Sequence, residues 1–230
     1  MRKYLCVYVF VGLALMLAGC DSDKEEIEGF NSTKLDNYIE EIYQNQKLMG
    51  SIAISEKDKK IYSRAFGFAD VENDILATPD TKYRVGSVTK TFTAVLILKA
   101  MEEKLLSLQQ TLSEFYPSVV NADKITISDL LYHRTGIPDL TNDEDYMDWY
   151  LFPKTKEELI EHISGYESDF QPGSQYVYSN SNYILLTFIL ESLYQKTYEA
   201  ILHEKILQPI HLLNTGVGGK IALGRKEANS

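Results

Sequence analysis

Ser87 and Lys90 are the two side chains whose types and spacing predict covalent chemistry. They form a Ser-x-x-Lys string at the start of a predicted helix, and residues three apart on a helix share one face. A serine hydroxyl is a weak nucleophile until a base takes its proton. A lysine amine can be that base where burial lowers its pKa, and the apolar helix around Lys90 predicts such burial. Roughly one such string is expected by chance in a chain of this length, so the motif alone is weak evidence.

Tyr178-Ser179-Asn180 is the second candidate element, and it directly precedes another predicted helix. A phenol beside a lysine can pass the serine proton to a leaving group, and an amide can hold a substrate carbonyl. Tyr43-Gln44-Asn45 has the same Tyr-x-Asn pattern. That copy lies upstream of Ser87 on a predicted amphipathic helix, so we interpret Tyr43 as a packing residue.

The hydrophobic pattern predicts the elements that must position these side chains. A first amphipathic helix is expected over residues 33–46, with Ser32 as its cap. Two strands follow, Ser51 to Ser55 and Ile61 to Phe68, joined by a charged turn. The helix from Ser87 to about Glu103 has little polar surface, which predicts that it is buried.

The second half of the chain reads as mainly helical. Thr126 with Asp129 and Thr155 with Glu158 match the capping box that opens helices. Further helices are expected over about 181–194 and 197–207. The pattern as a whole predicts an α/β (α+β) fold, in which an antiparallel sheet packs on helices and a helical subdomain covers about residues 104–207.

The first residues predict an export signal. Arg2 and Lys3 precede an apolar run that is too short for a comfortable membrane span, and small residues follow it. The end of this run, Leu17-Ala18-Gly19-Cys20, resembles a bacterial lipobox. We therefore predict a lipoprotein signal peptide at 1–19, a lipid on Cys20 and an acidic tether over 20–32. An uncleaved anchor is the alternative. Both predict a protein exported to the bacterial cell envelope, facing the periplasm or the cell surface.

Composition excludes several other kinds of site. The net charge is −10, from 23 basic and 33 acidic side chains, which argues against a nucleic-acid partner because phosphates bind to concentrated positive charge. Both cysteines, Cys6 and Cys20, lie at the start, so neither a disulfide framework nor a thiolate metal site is expected. The four histidines show no paired metal spacing. We predict neither a metal nor a cofactor.

Six short stretches of the chain together resemble one known family. They are Gly67–Asn73, Arg84–Ala94, Leu130–Asp139, Phe170–Gly173, Tyr178–Tyr183 and Asn214–Gly216. In content and order they are similar to the penicillin-recognising serine hydrolases, which include class C β-lactamases, D-Ala-D-Ala carboxypeptidases and related esterases. The resemblance covers about residues 34–216, and the Tyr-Ser-Asn form points to the class C side.

The resemblance implies a role for each matching residue. Ser87 would be the catalytic nucleophile, with its backbone N–H forming half of the oxyanion hole. Lys90 would be the proton acceptor, Tyr178 the second catalytic acid and base, and Asn180 the contact to a substrate amide. His133 could be read as a general base, but its family counterpart is structural, at a turn from helix to loop.

The chain also departs from the family pattern. The family carries a third motif, Lys or His followed by Thr/Ser-Gly, on a late strand, and we find none. We therefore expect residues 33–230 to form a partial domain with only the first two of five strands and one of two oxyanion donors. Losing one such donor typically costs about 10²–10³ in rate.

Two functional hypotheses follow from the resemblance and the departure. The first is an envelope serine hydrolase that forms an acyl-enzyme through Ser87 on β-lactam, D-Ala-D-Ala peptide or ester substrates, and that contacts the membrane through the lipid on Cys20. The alternative is a truncated, non-catalytic envelope lipoprotein or a penicillin-binding sensor. The choice among substrates, and the oligomeric state, stay open at this point.

Overall fold

The computed structural model of the chain describes residues 30–45, 47–219 and 227–228. The predicted signal peptide, Cys20 and the tether up to residue 29 lie outside these residues. Within the described part, no helix combines the length and the apolar character needed to cross a membrane.

The first helix and a β-hairpin pack on one another. Helix α1 spans Ser32–Gln44, and its cap is Asn31 rather than the predicted Ser32, because the Asn31 side chain accepts the Lys34 N–H at 2.7 Å. Strands β1 (Gly50–Glu56) and β2 (Lys59–Phe66) form an antiparallel pair. Their shared hydrophobic cluster centres on three buried side chains, Ile39, Tyr62 and Phe66. Tyr43 packs against that cluster, as its interpretation as a packing residue predicts.

The chain then forms a second small sheet that the sequence pattern did not predict. Strand β3 (Phe68–Asp70) pairs antiparallel with β4 (Ile75–Leu76). Gly67 separates β2 from β3 with a φ of +68°, and a Cβ there would lie 2.8 Å from Met49 Cγ. The single predicted strand 61–68 is therefore broken at a glycine. In the described residues, the antiparallel strands number four in two separate sheets, where two strands were expected.

Two long helices form the centre of the main hydrophobic core. A 3₁₀ turn, Gly86–Val88, leads directly into α2 (Thr89–Glu102), which packs against α6 (Asn180–Tyr194). Seven apolar side chains on these two helices have no exposed surface: Leu96, Ile97, Ala100, Leu185, Leu186, Ile189 and Leu190. The opposite face of α2 is less buried than its apolar composition predicts. Val95 and Leu98 are 41% and 49% exposed, because the described helices cover only one side of α2.

Shorter helices complete the core around α6. They are α3 (Ile127–Leu131), α4 (Tyr146–Trp149), α5 (Lys156–Ser164) and α7 (Tyr198–Leu202). Both predicted capping boxes, at Thr126 and Thr155, are present with reciprocal hydrogen bonds. The predicted helix over 197–207 begins as an α-helix and continues as a π-helical turn, His203–Leu207.

Candidate active site

The structure brings Ser87, Lys90 and Tyr178 together at the start of α2. Lys90 Nζ donates to Ser87 Oγ at 3.2 Å, and Ser87 Oγ lies 3.0 Å from the Tyr178 hydroxyl. Ser87 ends up beside Lys90 because the 3₁₀ turn runs straight into α2, so residues three apart lie on one face. Ser87 is exposed and Tyr178 is 40% exposed, so a substrate can reach both hydroxyls from solvent.

Asn180 and an unpredicted carboxylate complete the cluster. Lys90 Nζ also donates to Asn180 Oδ1 at 2.7 Å, and the Tyr178 hydroxyl donates to the same oxygen at 3.3 Å. The Asn180 amide nitrogen in turn donates to both carboxylate oxygens of Asp139, at 3.2 and 2.9 Å. The sequence places Asp139 in a family-like stretch but gives it no role, because its partner lies 41 residues away.

A loop from His133 to Leu140 fixes the start of α6, where Tyr178 and Asn180 lie. The His133 carbonyl accepts the Val177 N–H at 3.0 Å, and the Pro138 carbonyl accepts the hydroxyls of Ser179 and Ser181 at 3.1 and 2.7 Å. Both serines are buried. The loop therefore holds the Tyr-Ser-Asn segment by hydrogen bonds from within the core rather than from the surface.

Gly136 has no room for a side chain in this loop. Its φ is +79°, and a Cβ there would overlap the Phe170 carbonyl oxygen and lie 2.6 Å from Ser168 Oγ. We predict that Gly136→Ala lowers the free energy of unfolding by more than the ~1–2 kcal/mol that the left-handed backbone alone costs an L-residue. Gly173→Ala is the matched control, because Gly173 has a φ of +80° with open space around its Cβ. Equal losses for the two variants in urea unfolding would contradict this account.

The electrostatics of the cluster favour proton transfer by Tyr178. Burial raises the pKa of the Tyr178 phenol, but hydrogen bonds with Lys90 and Ser87 and the charge of Lys90 outweigh burial, so the pKa lies below its ordinary value of 10. Lys90 Nζ also lies 5.0 Å from the centre of the Tyr178 ring. A phenol with a lowered pKa gives up its proton more readily at neutral pH.

His133 packs against the Tyr178 ring and binds the backbone beside it. Its buried ring lies 4.6 Å from the Tyr178 ring and 5.1 Å from the Tyr183 ring. Its Nδ1 accepts the Ser179 N–H at 3.2 Å, and its backbone has a φ of +55°. Burial, and then the nearby charge of Lys90, lower the pKa of His133 below 6.5. These contacts agree with a structural histidine at a turn from helix to loop.

The lowered pKa of His133 predicts an acid-sensitive fold. Above about pH 6.5 the imidazole is neutral in both the folded and unfolded chain. As the pH falls below that value the unfolded chain binds a proton first, so stability decreases until the pH reaches the folded pKa. We expect the Tm to fall as the pH drops below about 6.5. His133→Asn should reduce that fall, because asparagine does not titrate, and it tolerates the positive φ at this position.

His211→Asn is the control for this pH effect. His211 is exposed and also has a φ of +55°, so its replacement makes the same backbone change at a surface site. The His211 variant should keep the pH slope of the unsubstituted chain. A His133 variant with that same slope would rule out His133 as the source.

The described residues bear on metal-binding clusters and on the strings nearest to the third family motif. No group of three or more His, Cys, Asp or Glu side chains there is placed to hold a metal ion. The two strings nearest to the third family motif are Arg134-Thr135-Gly136 and Asn214-Thr215-Gly216. Each lies outside the strands of the described chain, the first in the loop after α3 and the second after the π-helical turn.

With this geometry in place, comparison with known proteins decides the family. A family model described as "Beta-lactamase" matches residues 35–229, which is most of the chain. The chain belongs to the β-lactamase family. The fold and the suspected kinship with penicillin-recognising serine hydrolases are thereby confirmed.

Named relatives support the same assignment. Protein flp from Staphylococcus aureus (strain NCTC 8325 / PS 47) is 30% identical over 79% of this chain and 37% of its own length. The teichoic acid D-alanine hydrolase of Staphylococcus aureus is 27% identical over 85% of this chain and 49% of its own. Among solved structures, the octameric penicillin-binding protein homologue from Pyrococcus abyssi is 33% identical in sequence, with a TM-score of 0.70. The match covers 79% of this chain and 43% of that one. The chain thus spans less than half the length of these relatives.

Proposed function

We propose that this chain is an exported serine hydrolase that forms an acyl-enzyme at Ser87. The observation that carries the proposal is the geometry around one atom: Ser87 Oγ lies 3.2 Å from Lys90 Nζ and 3.0 Å from the Tyr178 hydroxyl. A nucleophile within hydrogen-bonding reach of two proton-transfer groups is the arrangement that covalent catalysis needs.

The acylation step assigns one role to each group. Ser87 Oγ attacks the acyl carbon and its proton passes to the lone pair of the uncharged Lys90 amine, which becomes an ammonium, while the backbone N–H of Ser87 stabilises the developing oxyanion. Tyr178 then donates a proton to the leaving group as the bond to the acyl carbon breaks, and Lys90 returns a proton to Tyr178. Water later releases the acyl group from Ser87. Asn180 contacts the substrate amide or carbonyl in this scheme.

Esters and amides of D-alanine, together with β-lactams, are the substrates we favour. One relative is named for hydrolysing D-alanine from teichoic acid and another solved relative is a penicillin-binding protein homologue. The N-terminal signal and the lipobox-like Cys20 support placement in the cell envelope with a lipid anchor. No cofactor enters the proposed steps, because protein side chains carry every proton transfer.

The test is covalent labelling of the full chain with a fluorophosphonate and with a fluorescent penicillin. We expect a stoichiometric mass increase that peptide mapping places on Ser87 and that Ser87→Ala abolishes. Labelling that Ser87→Ala does not change, or no labelling by either probe, would refute the proposal.

A non-catalytic or sensor role is the second candidate. It is motivated by the departure from the family pattern: the given sequence has no Lys or His followed by Thr/Ser-Gly. A sensor should label with penicillin and keep the label for hours, whereas a hydrolase should lose it. A non-catalytic binder should show no label at all. Robust turnover of an ester by the purified chain would exclude both.

A further inference from the structure

The Asp139 carboxylate lies directly behind Asn180, on the side away from Ser87. Its two oxygens accept the Asn180 amide N–H groups at 3.2 and 2.9 Å. Its Oδ1 also accepts the backbone N–H of Thr141 at 3.0 Å and the Thr141 hydroxyl at 2.9 Å. The carboxylate is thus held by its own loop while it binds the first residue of α6.

This contact decides which end of the Asn180 amide faces Lys90. A carboxylate only accepts hydrogen bonds, so the amide nitrogen must face Asp139 and the amide oxygen must face the other way. The oxygen then accepts Lys90 Nζ at 2.7 Å. The opposite orientation would place oxygen against oxygen at Asp139 and donor against donor at Lys90.

The position of the Lys90 amine matters for the reaction. A lysine side chain has four flexible carbons and loses rotamer entropy when it is held in one place. The Asn180 contact is 0.5 Å shorter than the Lys90–Ser87 contact, at 2.7 against 3.2 Å. A displacement of about 1 Å at a reacting group can cost roughly 10²-fold in rate.

We propose that Asp139 is a positioning residue for acylation: it orients the Asn180 amide so that the amide oxygen holds the Lys90 amine within reach of Ser87. The inference rests on the proposed function, because positioning has meaning only if Ser87 is acylated. Asp139 touches neither the substrate nor Ser87 in this scheme, and its positioning effect passes through Asn180. Its negative charge also opposes the lowering of the Tyr178 pKa, but the positioning effect itself should have no further consequence once Asn180 is gone.

A double-mutant cycle on the full chain tests this claim with fluorophosphonate labelling rates. We expect Asp139→Ala to slow labelling of Ser87 by about 10–100-fold, up to the cost of displacing a reacting group by about 1 Å. Asn180→Ala should cause an equal or larger loss, because Asn180 also contacts the substrate in this scheme. The double variant should be no slower than the slower single variant, within about twofold, because the residues act as one unit.

Two further variants separate positioning from folding. Asp139→Asn keeps one acceptor oxygen for Asn180, so its rate should lie between those of the unsubstituted chain and Asp139→Ala. Asp123→Ala removes an exposed aspartate far along the chain from the site and should keep the original rate. Thermal melting checks that each variant is folded, and if Asp139→Ala is not, the same cycle is run with Asp139→Asn.

Each result of the cycle has one meaning. If the unsubstituted chain is not labelled on Ser87, the proposed function fails. If it is labelled but either Asp139 variant labels at the original rate, the positioning role alone is overturned. The same conclusion follows if the losses from the Asp139 and Asn180 substitutions multiply, since independent effects would then explain both.

Discussion

Replacing Lys90 with methionine is expected to slow acylation of Ser87 by about 10²–10⁴-fold, the range that a positioned general base contributes. Methionine keeps most of the volume and apolar character of the lysine stem but cannot accept the Ser87 proton. It also removes the charge that lowers the pKa of Tyr178. The loss should therefore appear in the rate of fluorophosphonate labelling under saturating probe, and not only in probe binding.

Lys90→Arg shows whether the amine acts as a base or as a charge. A guanidinium stays protonated at any accessible pH, so arginine keeps the positive charge but cannot take a proton. We expect it to be about as slow as Lys90→Met. A rate near that of the unsubstituted chain would show that charge suffices. Lys99→Met, on the same helix, is the control and should remain within about twofold of the original rate.

Local patterns were sufficient to predict most helices and the hairpin, since each carries its own signal. The capping box at Thr155 needs only residues 155–158, and the structure contains its two hydrogen bonds. The hairpin is defined by alternating side chains around a charged turn, and its strands begin and end within two residues of the prediction. The Ser87–Lys90 pair was predictable for the same reason, because helical spacing alone brings the two side chains together.

Features that depend on distant partners were missed or misjudged. Gly67 ends β2 because of its positive φ and its close approach to Met49, and neither property is visible in an apolar run. The burial of α2 was overestimated at Val95 and Leu98, since composition shows that a helix is apolar but not which neighbour covers each face.

Asp139 shows the same limit within the candidate site. Its importance comes from a hydrogen bond to a residue 41 positions later, across a loop whose path depends on a buried histidine and a left-handed glycine. A single aspartate after a proline carries no periodic or motif signal of its own. The sequence could thus predict that Ser87, Lys90 and Tyr178 belong to one candidate site, but not that Asp139 would contact Asn180 within it.

Removing the Tyr178 hydroxyl should slow acylation by different amounts for substrates with different leaving groups. Tyr178→Phe keeps the ring that packs on His133 and faces Lys90, at 4.6 and 5.0 Å, so the fold should be retained. It removes the hydroxyl that lies 3.0 Å from Ser87 Oγ. If this hydroxyl donates the proton that the leaving group needs, the cost must depend on how strongly that group requires protonation.

We therefore expect Tyr178→Phe to slow acylation by an alkyl ester or an amide by about 10²-fold or more, but acylation by a nitrophenyl ester by about tenfold or less. The nitrophenolate departs without a proton, whereas an alkoxide or an amide anion does not. Tyr176→Phe is the control, because Tyr176 is 64% exposed and lies 6.1 Å from His133, on the same segment. Acylation rates of the unsubstituted chain and of Tyr178→Phe, measured with each of the two substrates, give the two ratios. Equal losses for the two leaving groups would show that Tyr178 acts before the leaving group departs, on the attacking serine itself.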